Sequence, residues 1–164
     1  MRDMRWRAIL RLGVIALAAF TTGARPARAL EAIVFVSSGS PGEVWGSGLG
    51  ASLSSSLFHI VMLDAELARQ GYATADGKLL SFSVAACLAP TFGHFTPYAG
   101  FGVGLHRQTL GEQSDNGTLS SLVAGGKLRF GLLMLRAEYR TFTLSGSSFV
   151  ELNHRIYAGA GISF

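Results

Sequence analysis

The last sixteen residues of the chain alternate between two kinds of side chain with a period of two. The segment from Phe149 to Phe164 reads FVELNHRIYAGAGISF. One set of alternate positions is apolar except for His154, and the other set is polar, charged or glycine. This is the side-chain period of a β-strand with one apolar and one polar face. Since a tilted strand needs about nine to eleven residues to cross a bilayer, this segment is long enough to do so.

The residues from Met1 to Ala29 have the three parts of a secretory signal peptide. Arginines flank an apolar run from Ile9 to Phe20, and Ala27-Arg28-Ala29 follows as a small-x-small cleavage site. The run is too short for a spanning helix, which needs about 20 apolar residues. We therefore predict cleavage after Ala29 and a single mature domain over residues 30–164.

The positive charge of the chain belongs to this targeting segment. The whole sequence is formally +4, but the removed part holds six Arg and one Asp. The mature part then has 8 Lys and Arg against 9 Asp and Glu, a net charge of −1. The high pI therefore gives no support for nucleic-acid binding. A single cysteine, Cys87, excludes an intramolecular disulfide and a cysteine-based zinc site, and no cofactor is expected.

Seven further segments of the mature part alternate in the same way, so the chain is predicted to be all-β with eight strands. They are Leu30–Ser37, Val44–Ser54, Leu57–Gln70, Leu80–Ala89, Thr96–Gln108, Thr118–Phe130 and Leu132–Thr143. A helix is the alternative for the third, because LDAELARQ has helical propensity. Longer polar loops are expected after the odd-numbered strands, the longest being Leu110–Gly117. Ser38–Gly42 is predicted to be a turn because it contains Gly and Pro. The serine-rich segments Ser52–Ser56 and Ser145–Ser148 are also interpreted as turns.

Charged residues fall on the face opposite the apolar one in these strands. A charge on the lipid face costs about 2–4 kcal/mol for Arg or Lys at mid-membrane, so we expect these side chains inside a barrel, paired with one another. The acidic residues are Glu31, Asp64, Glu66, Glu138 and Glu151, and the basic residues are Lys127, Arg129, Arg136, Arg140 and Arg155. Inward glycines are expected to leave room for the long basic side chains. The outward aromatic residues Trp45, Tyr139, Phe130 and Phe164 are expected at strand ends.

Two features resemble the small bacterial outer-membrane β-barrel superfamily, of the OmpA, OmpX and opacity-protein kind. The run TPYAGFGVGL, Thr96–Leu105, is similar to a segment of such barrels, and the chain ends on Phe164 with apolar residues at alternate positions before it. The resemblance implies an eight-stranded antiparallel up-and-down transmembrane barrel in the outer membrane of a Gram-negative bacterium. It also implies that Tyr157, Ile162 and Phe164 form the signal for the barrel assembly machinery, with outer-membrane lipids and lipopolysaccharide as further partners.

The resemblance implies a non-enzymatic envelope protein, and short loops favour a structural role over host binding. An open pore is not expected, because eight strands leave an interior just wide enough to be filled by side chains. Two alternatives remain. His154 interrupts the lipid face near the expected outer interface, where a lipid A deacylase would need a base beside a serine and an acid. A soluble lipocalin-like periplasmic barrel would instead turn the apolar faces inward around a ligand.

Overall fold

The chain forms eight β-strands. The computed structural model describes residues 30–41, 46–57, 60–71, 76–146 and 152–164, so the predicted signal peptide lies outside the described residues. The strands are β1 (Leu30–Pro41), β2 (Gly46–Leu57), β3 (Val61–Gly71), β4 (Gly77–Leu88), β5 (Phe95–Leu110), β6 (Gln113–Phe130), β7 (Leu133–Ser145) and β8 (Leu152–Ser163). The described part contains no helix that could cross a membrane. The strand predicted over residues 57–70 is confirmed, against its helical alternative.

The strands close into an antiparallel barrel in chain order, with β8 paired to β1. Following paired residues once around the ring from Ser40 of β1 leads back to Leu30 of the same strand, ten residues earlier. The residues passed on the way are His154, Thr141, Leu122, Phe101, Ala86, Leu63 and Ser55. With standard strand spacings, this offset tilts the strands by about 40° from the barrel axis, so each residue advances about 2.5 Å along the axis.

The first and last described residues lie together at one end of the barrel. The Leu30 amide donates to the Phe164 carbonyl at 2.9 Å, and the Phe164 amide donates to the Leu30 carbonyl at 3.0 Å. The β2–β3, β4–β5 and β6–β7 connections share this end, which we call the terminal end. The other connections lie at the opposite end, which we call the far end.

The two faces predicted from the sequence are present, with the polar face inside. On β4, Ser81, Ser83, Ala85 and Cys87 are buried, and the residues between them are exposed or half-buried. Large apolar side chains on all the strands point outward and are exposed. The interior instead holds buried charges and hydroxyls beside a few apolar clusters. This arrangement is the inverse of a water-soluble protein.

The prediction of a turn is wrong for two segments, because the structure places them in strands. The serine-rich segment Ser52–Ser56 lies within β2, where Ser52, Ser54 and Ser55 are buried. Ser38 to Pro41, also predicted as a turn, extends β1. Serine favours turns only where its hydroxyl bonds the local backbone. In β2 the Ser54 hydroxyl instead donates to Glu31 on the neighbouring strand, and the Ser52 hydroxyl accepts from Arg136 across the lumen.

The predicted long loop at Leu110–Gly117 is also wrong. β5 continues to Leu110 and β6 begins at Gln113, so a two-residue turn joins them, with Gly111 at a φ of 57°. The six-residue connection Ala89–His94 at the terminal end is longer. The expected alternation of long and short loops therefore fails here. Strand pairing needs only backbone groups, so the hairpin extends beyond the apolar pattern that located the strands.

Candidate functional site

The lumen at the terminal end holds a cluster of one acid and two bases. The Glu31 carboxylate accepts hydrogen bonds from Lys127, from Arg129 at 2.6 Å and from the Ser54 hydroxyl at 2.8 Å. Glu31 and Lys127 are buried, whereas the Arg129 side chain is 44% exposed. We call Glu31, Lys127 and Arg129 the terminal cluster. Each buried charge in it has an opposite partner, as burial in a low dielectric requires.

A larger network fills the middle of the barrel, and Arg136 is at its centre. Its guanidinium donates to both oxygens of Asp64, at 2.8 and 3.1 Å, and also to the Glu138 carboxylate. It donates further to the hydroxyls of Tyr98 at 2.7 Å and Ser52 at 3.0 Å. Asp64 lies on β3 and Arg136 on β7, four strands apart in a ring of eight, so this ion pair crosses the lumen.

Arg140 extends this network toward the far end. Its Nε donates to Glu138 at 2.8 Å, and its Nη2 lies 3.2 Å from Glu66. It also donates to the hydroxyls of Ser83 at 2.9 Å and Tyr157 at 3.3 Å. Arg140 is fully buried, so its charge is stabilised entirely by groups of the lumen.

Arg155 forms the far edge of the network. It pairs with Glu66, which also accepts a hydrogen bond from the Tyr157 hydroxyl at 3.2 Å. The Arg155 guanidinium lies 5.0 Å from the centre of the Phe142 ring and 5.8 Å from that of Phe35. Such contacts stabilise a cation that has few polar partners. We call the following residues the central network: Asp64, Glu66, Tyr98, Arg136, Glu138, Arg140, Arg155 and Tyr157.

Glycines facing the lumen make room for aromatic rings. A Cβ at Gly125 would lie 2.5 Å from the Tyr98 hydroxyl, and one at Gly50 would lie 2.4 Å from the Phe35 ring. The sequence predicts room for Arg and Lys side chains at such glycines. In the structure the space is taken by the rings, and Arg136 and Arg155 in turn lie over them.

The structure brings together the charged residues predicted for the lumen, apart from Glu151, which lies outside the described residues. Tyr98 was not among the predicted residues. The sequence did indicate that it faces the lumen, because it alternates with Gly100 and Gly102 on the inward side of the predicted strand. Tyr157 is 2% exposed and belongs to the central network, although it was predicted as part of the C-terminal assembly signal. The other two residues of that signal, Ile162 and Phe164, are exposed on the outer face.

The far half of the lumen is less completely bonded. Within the described part, some buried side-chain atoms there have no hydrogen-bond partner. They belong to Ser37, Gln70, His106, Ser121 and Arg155. All of these residues lie beyond the middle of their strands toward the far end, as the strand register shows. The polar packing of the lumen is therefore concentrated at the centre and the terminal end.

No group of three potential metal ligands occurs among the described residues.

His154 pairs in register with Ser40 and Thr141, toward the far end, and its ring stacks on that of Tyr139, with 6.1 Å between the ring centres. Tyr139 lies in the middle of β7, so the prediction that it lies at a strand end is wrong. Trp45 lies outside the described residues, whereas Phe130 and Phe164 lie at the terminal end.

The outer face has an apolar belt bordered by charge. On β5, outward positions from Phe95 to Leu105 carry no charged residue, and the next outward residue is Arg107. Arg69 on β3 and Lys78 on β4 are also exposed on the outer face, near the far end of their strands. The sequence analysis did not single out these basic residues as part of the outer face. The pattern did indicate it for Arg69 and Arg107, which fall at alternate positions with the outward apolar residues of their strands.

No protein-family model and no curated protein matches the sequence. Solved structures do match. Neisserial surface protein A (NspA) is 18% identical over 83% of this chain and 95% of its own, with a TM-score of 0.64. The N-terminal β-barrel domain of Pseudomonas aeruginosa OprF is 18% identical over 83% and 97%, with a TM-score of 0.56. Ail of Yersinia pestis is 17% identical over 84% and 97%, with a TM-score of 0.52. The chain therefore has the fold of the small eight-stranded outer-membrane β-barrels.

Proposed function

We propose that this chain is an integral outer-membrane protein of a Gram-negative bacterium, with a polar, plugged lumen and a non-enzymatic role in the envelope. Residues 1–29 act as a cleaved signal peptide, and the mature protein begins at Leu30. Outer-membrane lipids and lipopolysaccharide surround the barrel, and the barrel assembly machinery inserts it. The terminal end faces the periplasm and the far end faces the cell surface.

The height of the apolar belt is the observation that carries this proposal. From Phe95 to Leu105 the outward side of β5 runs ten residue steps without a charge. At about 2.5 Å per residue along the axis, this stretch is about 25 Å tall. An outer-membrane barrel has an apolar band about 25 Å tall, so the belt matches the hydrocarbon layer.

The exposed aromatic residues support the proposed orientation. Phe92, Phe95, Phe130 and Phe164 all lie at the terminal end and are exposed there. Aromatic side chains gather at the borders of the apolar band in outer-membrane barrels. A ring of phenylalanines at this end marks its border with the periplasm.

The burial pattern opposes the soluble lipocalin-like alternative. Such a barrel would need an apolar interior around its ligand and a polar exterior. Here the lumen holds Arg136, Arg140 and Arg155 with their acidic partners, and the exposed side of the strands is apolar. In water this surface would be a large continuous apolar patch, which soluble proteins avoid.

The central network supports a closed lumen and a structural role. Its ion pairs join β3 to β7 and β8 inside the ring, and the paired side chains are buried in an interior that eight strands leave just wide enough to be filled. Ail has been solved in complex with the heparin analogue sucrose octasulfate. A protein of this fold can therefore bind such a ligand, but the two-residue β5–β6 turn here offers little loop for binding.

Heat-dependent gel mobility tests the proposal. Outer-membrane fractions are dissolved in sodium dodecyl sulfate and run with and without boiling. A membrane barrel has all its backbone groups paired around the ring, so it stays folded and migrates differently until it is boiled. Recovery in the aqueous periplasmic fraction, with one mobility under both conditions, would overturn the proposal.

A further inference from the structure

The outer face of β3, β4 and β5 carries a compact basic cluster at the border of the apolar belt nearest the far end. Arg69 pairs in register with Leu80, and Leu80 pairs with Arg107, so the two arginines flank one leucine. Lys78 lies on the same face of β4, two residues from Leu80 toward the far end. Standard strand spacing places the two arginines about 10 Å apart and Lys78 about 7 Å from Leu80. We call Arg69, Lys78 and Arg107 the basic cluster.

This cluster is one-sided. All three side chains are exposed, and no other Lys or Arg of the described strands lies on the outer face beyond the belt. On the opposite side of the barrel, the corresponding outward positions are neutral or histidine, as at Thr143 on β7 and His154 on β8. Of the acidic residues around the cluster, Asp76 and Glu112 lie in turns farther from the belt, and Asp115 lies on the inward side of β6, opposite Gln108 in register. Positive charge is therefore concentrated over one third of the circumference.

An apolar groove leads up the outer face to this cluster. Two overlapping depressions, of about 620 and 840 Å³, share Val34, Ala51, Leu67 and Ala160 as lining. The small side chains of Ala51 and Ala160 form a low floor between larger neighbours. The second depression ends against Leu80 and the Arg69 side chain. We call this feature the outer groove.

We propose that the outer groove and the basic cluster together bind one phosphorylated lipid of the outer leaflet, with an acyl chain in the groove and a phosphate at the cluster. This inference rests on the proposed membrane location. Arginine binds phosphate oxygens through paired N–H donors, and lysine adds a point charge. The long side chains reach from the border of the belt to the headgroup level while their methylene groups stay in apolar surroundings. An acyl chain below and a phosphate above match the order of the two features along the barrel axis.

Lipid retention tests the inference with the whole mature barrel. The protein is refolded in detergent, mixed with bis-phosphorylated lipid A or with the same lipid without phosphates, and the retained lipid is measured by native mass spectrometry. We expect the phosphorylated lipid to be retained at least about tenfold better, since each basic residue near a charged membrane surface contributes measurably to binding. The R69Q/K78Q/R107Q variant should lose this preference, and inorganic phosphate should not displace the lipid.

The groove has its own matched pair of variants. Ala51→Phe fills the floor of the outer groove and should lower retention of both lipids. Ala124→Phe makes the same change at an exposed outward position on β6, on the opposite side of the barrel, and should leave retention unchanged. Equal retention of the two lipids by the wild-type barrel, or no effect of the triple variant, would overturn the inference. A heat-dependent gel shift of each sample shows whether the barrel is folded, so failure of the proposed membrane fold is recognised separately.

Discussion

Arg136 and Asp64 face each other across the lumen and are joined by two hydrogen bonds, of 2.8 and 3.1 Å. The residues lie on β7 and β3, on opposite sides of the ring. Both side chains are essentially fully buried. The pair therefore acts as a cross-brace, connecting walls of the barrel that share no backbone hydrogen bonds.

Breaking this brace from one side should destabilise the barrel strongly. Asp64→Asn keeps the shape of the side chain but leaves Arg136 and Arg140 short of one negative charge. Removing one partner of a buried ion pair typically costs about 3–5 kcal/mol, and we expect a loss of this order in the free energy of unfolding. The measurement is urea unfolding of the barrel refolded in lipid vesicles.

A second substitution at the partner should recover part of that loss. Adding Arg136→Met to Asp64→Asn removes the uncompensated charge, so the double variant should be more stable than the sum of the single effects predicts. Glu112→Gln neutralises an exposed acid in the β5–β6 turn and should change stability by no more than about 0.5 kcal/mol. Additive effects at Asp64 and Arg136 would show that the pair does not brace the ring.

The same network should keep the lumen closed to ions. In planar bilayers we expect no steady conductance from the wild-type barrel. Arg140→Ala removes a fully buried side chain from the central network, so small openings should appear. Ser83→Ala removes one hydrogen bond to Arg140 but little volume, and should stay closed. Steady conductance of the wild type would contradict the plugged lumen.

Gly125 should be intolerant of any side chain, because of its place beside Tyr98. An added Cβ would lie 2.5 Å from the Tyr98 hydroxyl and 2.5 Å from the Ala137 carbonyl oxygen. Gly125→Ala should therefore displace Tyr98 from Arg136 and Glu138 and cost about 1–3 kcal/mol, the usual range for overpacking. Urea unfolding measures the loss.

Gly71 offers the matched control for that change. A Cβ there has its nearest contact at 3.8 Å, an ordinary van der Waals distance. Gly71→Ala should be neutral or slightly stabilising, because alanine restricts the unfolded chain without strain in the fold. Similar losses at both glycines would show that close packing around Tyr98 is not the cause.

The faces of the strands could be read from the sequence because each is decided locally. In Leu80–Ala89 every second residue is apolar, and the structure exposes those residues or leaves them half-buried, with the alternate ones buried. Lipid-facing and lumen-facing positions alternate along any barrel strand, so parity alone assigns them. The strand ends were less predictable, because pairing at Gln113 or Ser38 depends on a neighbouring strand and not on apolarity.

The partners inside the lumen could not be read from the sequence. That Arg136 meets Asp64 depends on the ten-residue offset around the ring, which sets the height of every residue along the axis. A different offset would bring other charges to the same level. The role of Ser52 was missed for the same reason, since its hydroxyl bonds Arg136 on a distant strand.

His154 separates the non-enzymatic role from the deacylase alternative. Its ring stacks on Tyr139 on the outer face of the barrel. We expect lipid A of unchanged mass in strains that carry the wild-type protein, the His154→Ala variant or no copy of the gene. Mass spectrometry of extracted lipid A makes the comparison. An acyl chain lost only when the wild-type protein is present would establish the deacylase function instead.

Phe164 should matter for assembly more than for the stability of the folded barrel. Its side chain is 61% exposed, and its two bonds to Leu30 are made by the backbone, so they survive side-chain truncation. Phe164→Ala should lower the amount of heat-modifiable barrel in outer membranes several-fold, while unfolding of the refolded protein changes little. Phe130→Ala is the matched control, because Phe130 is 56% exposed at the same end but lies outside the predicted assembly signal. If both variants reach the outer membrane equally well, the C-terminal phenylalanine is only one more exposed aromatic residue at the terminal end.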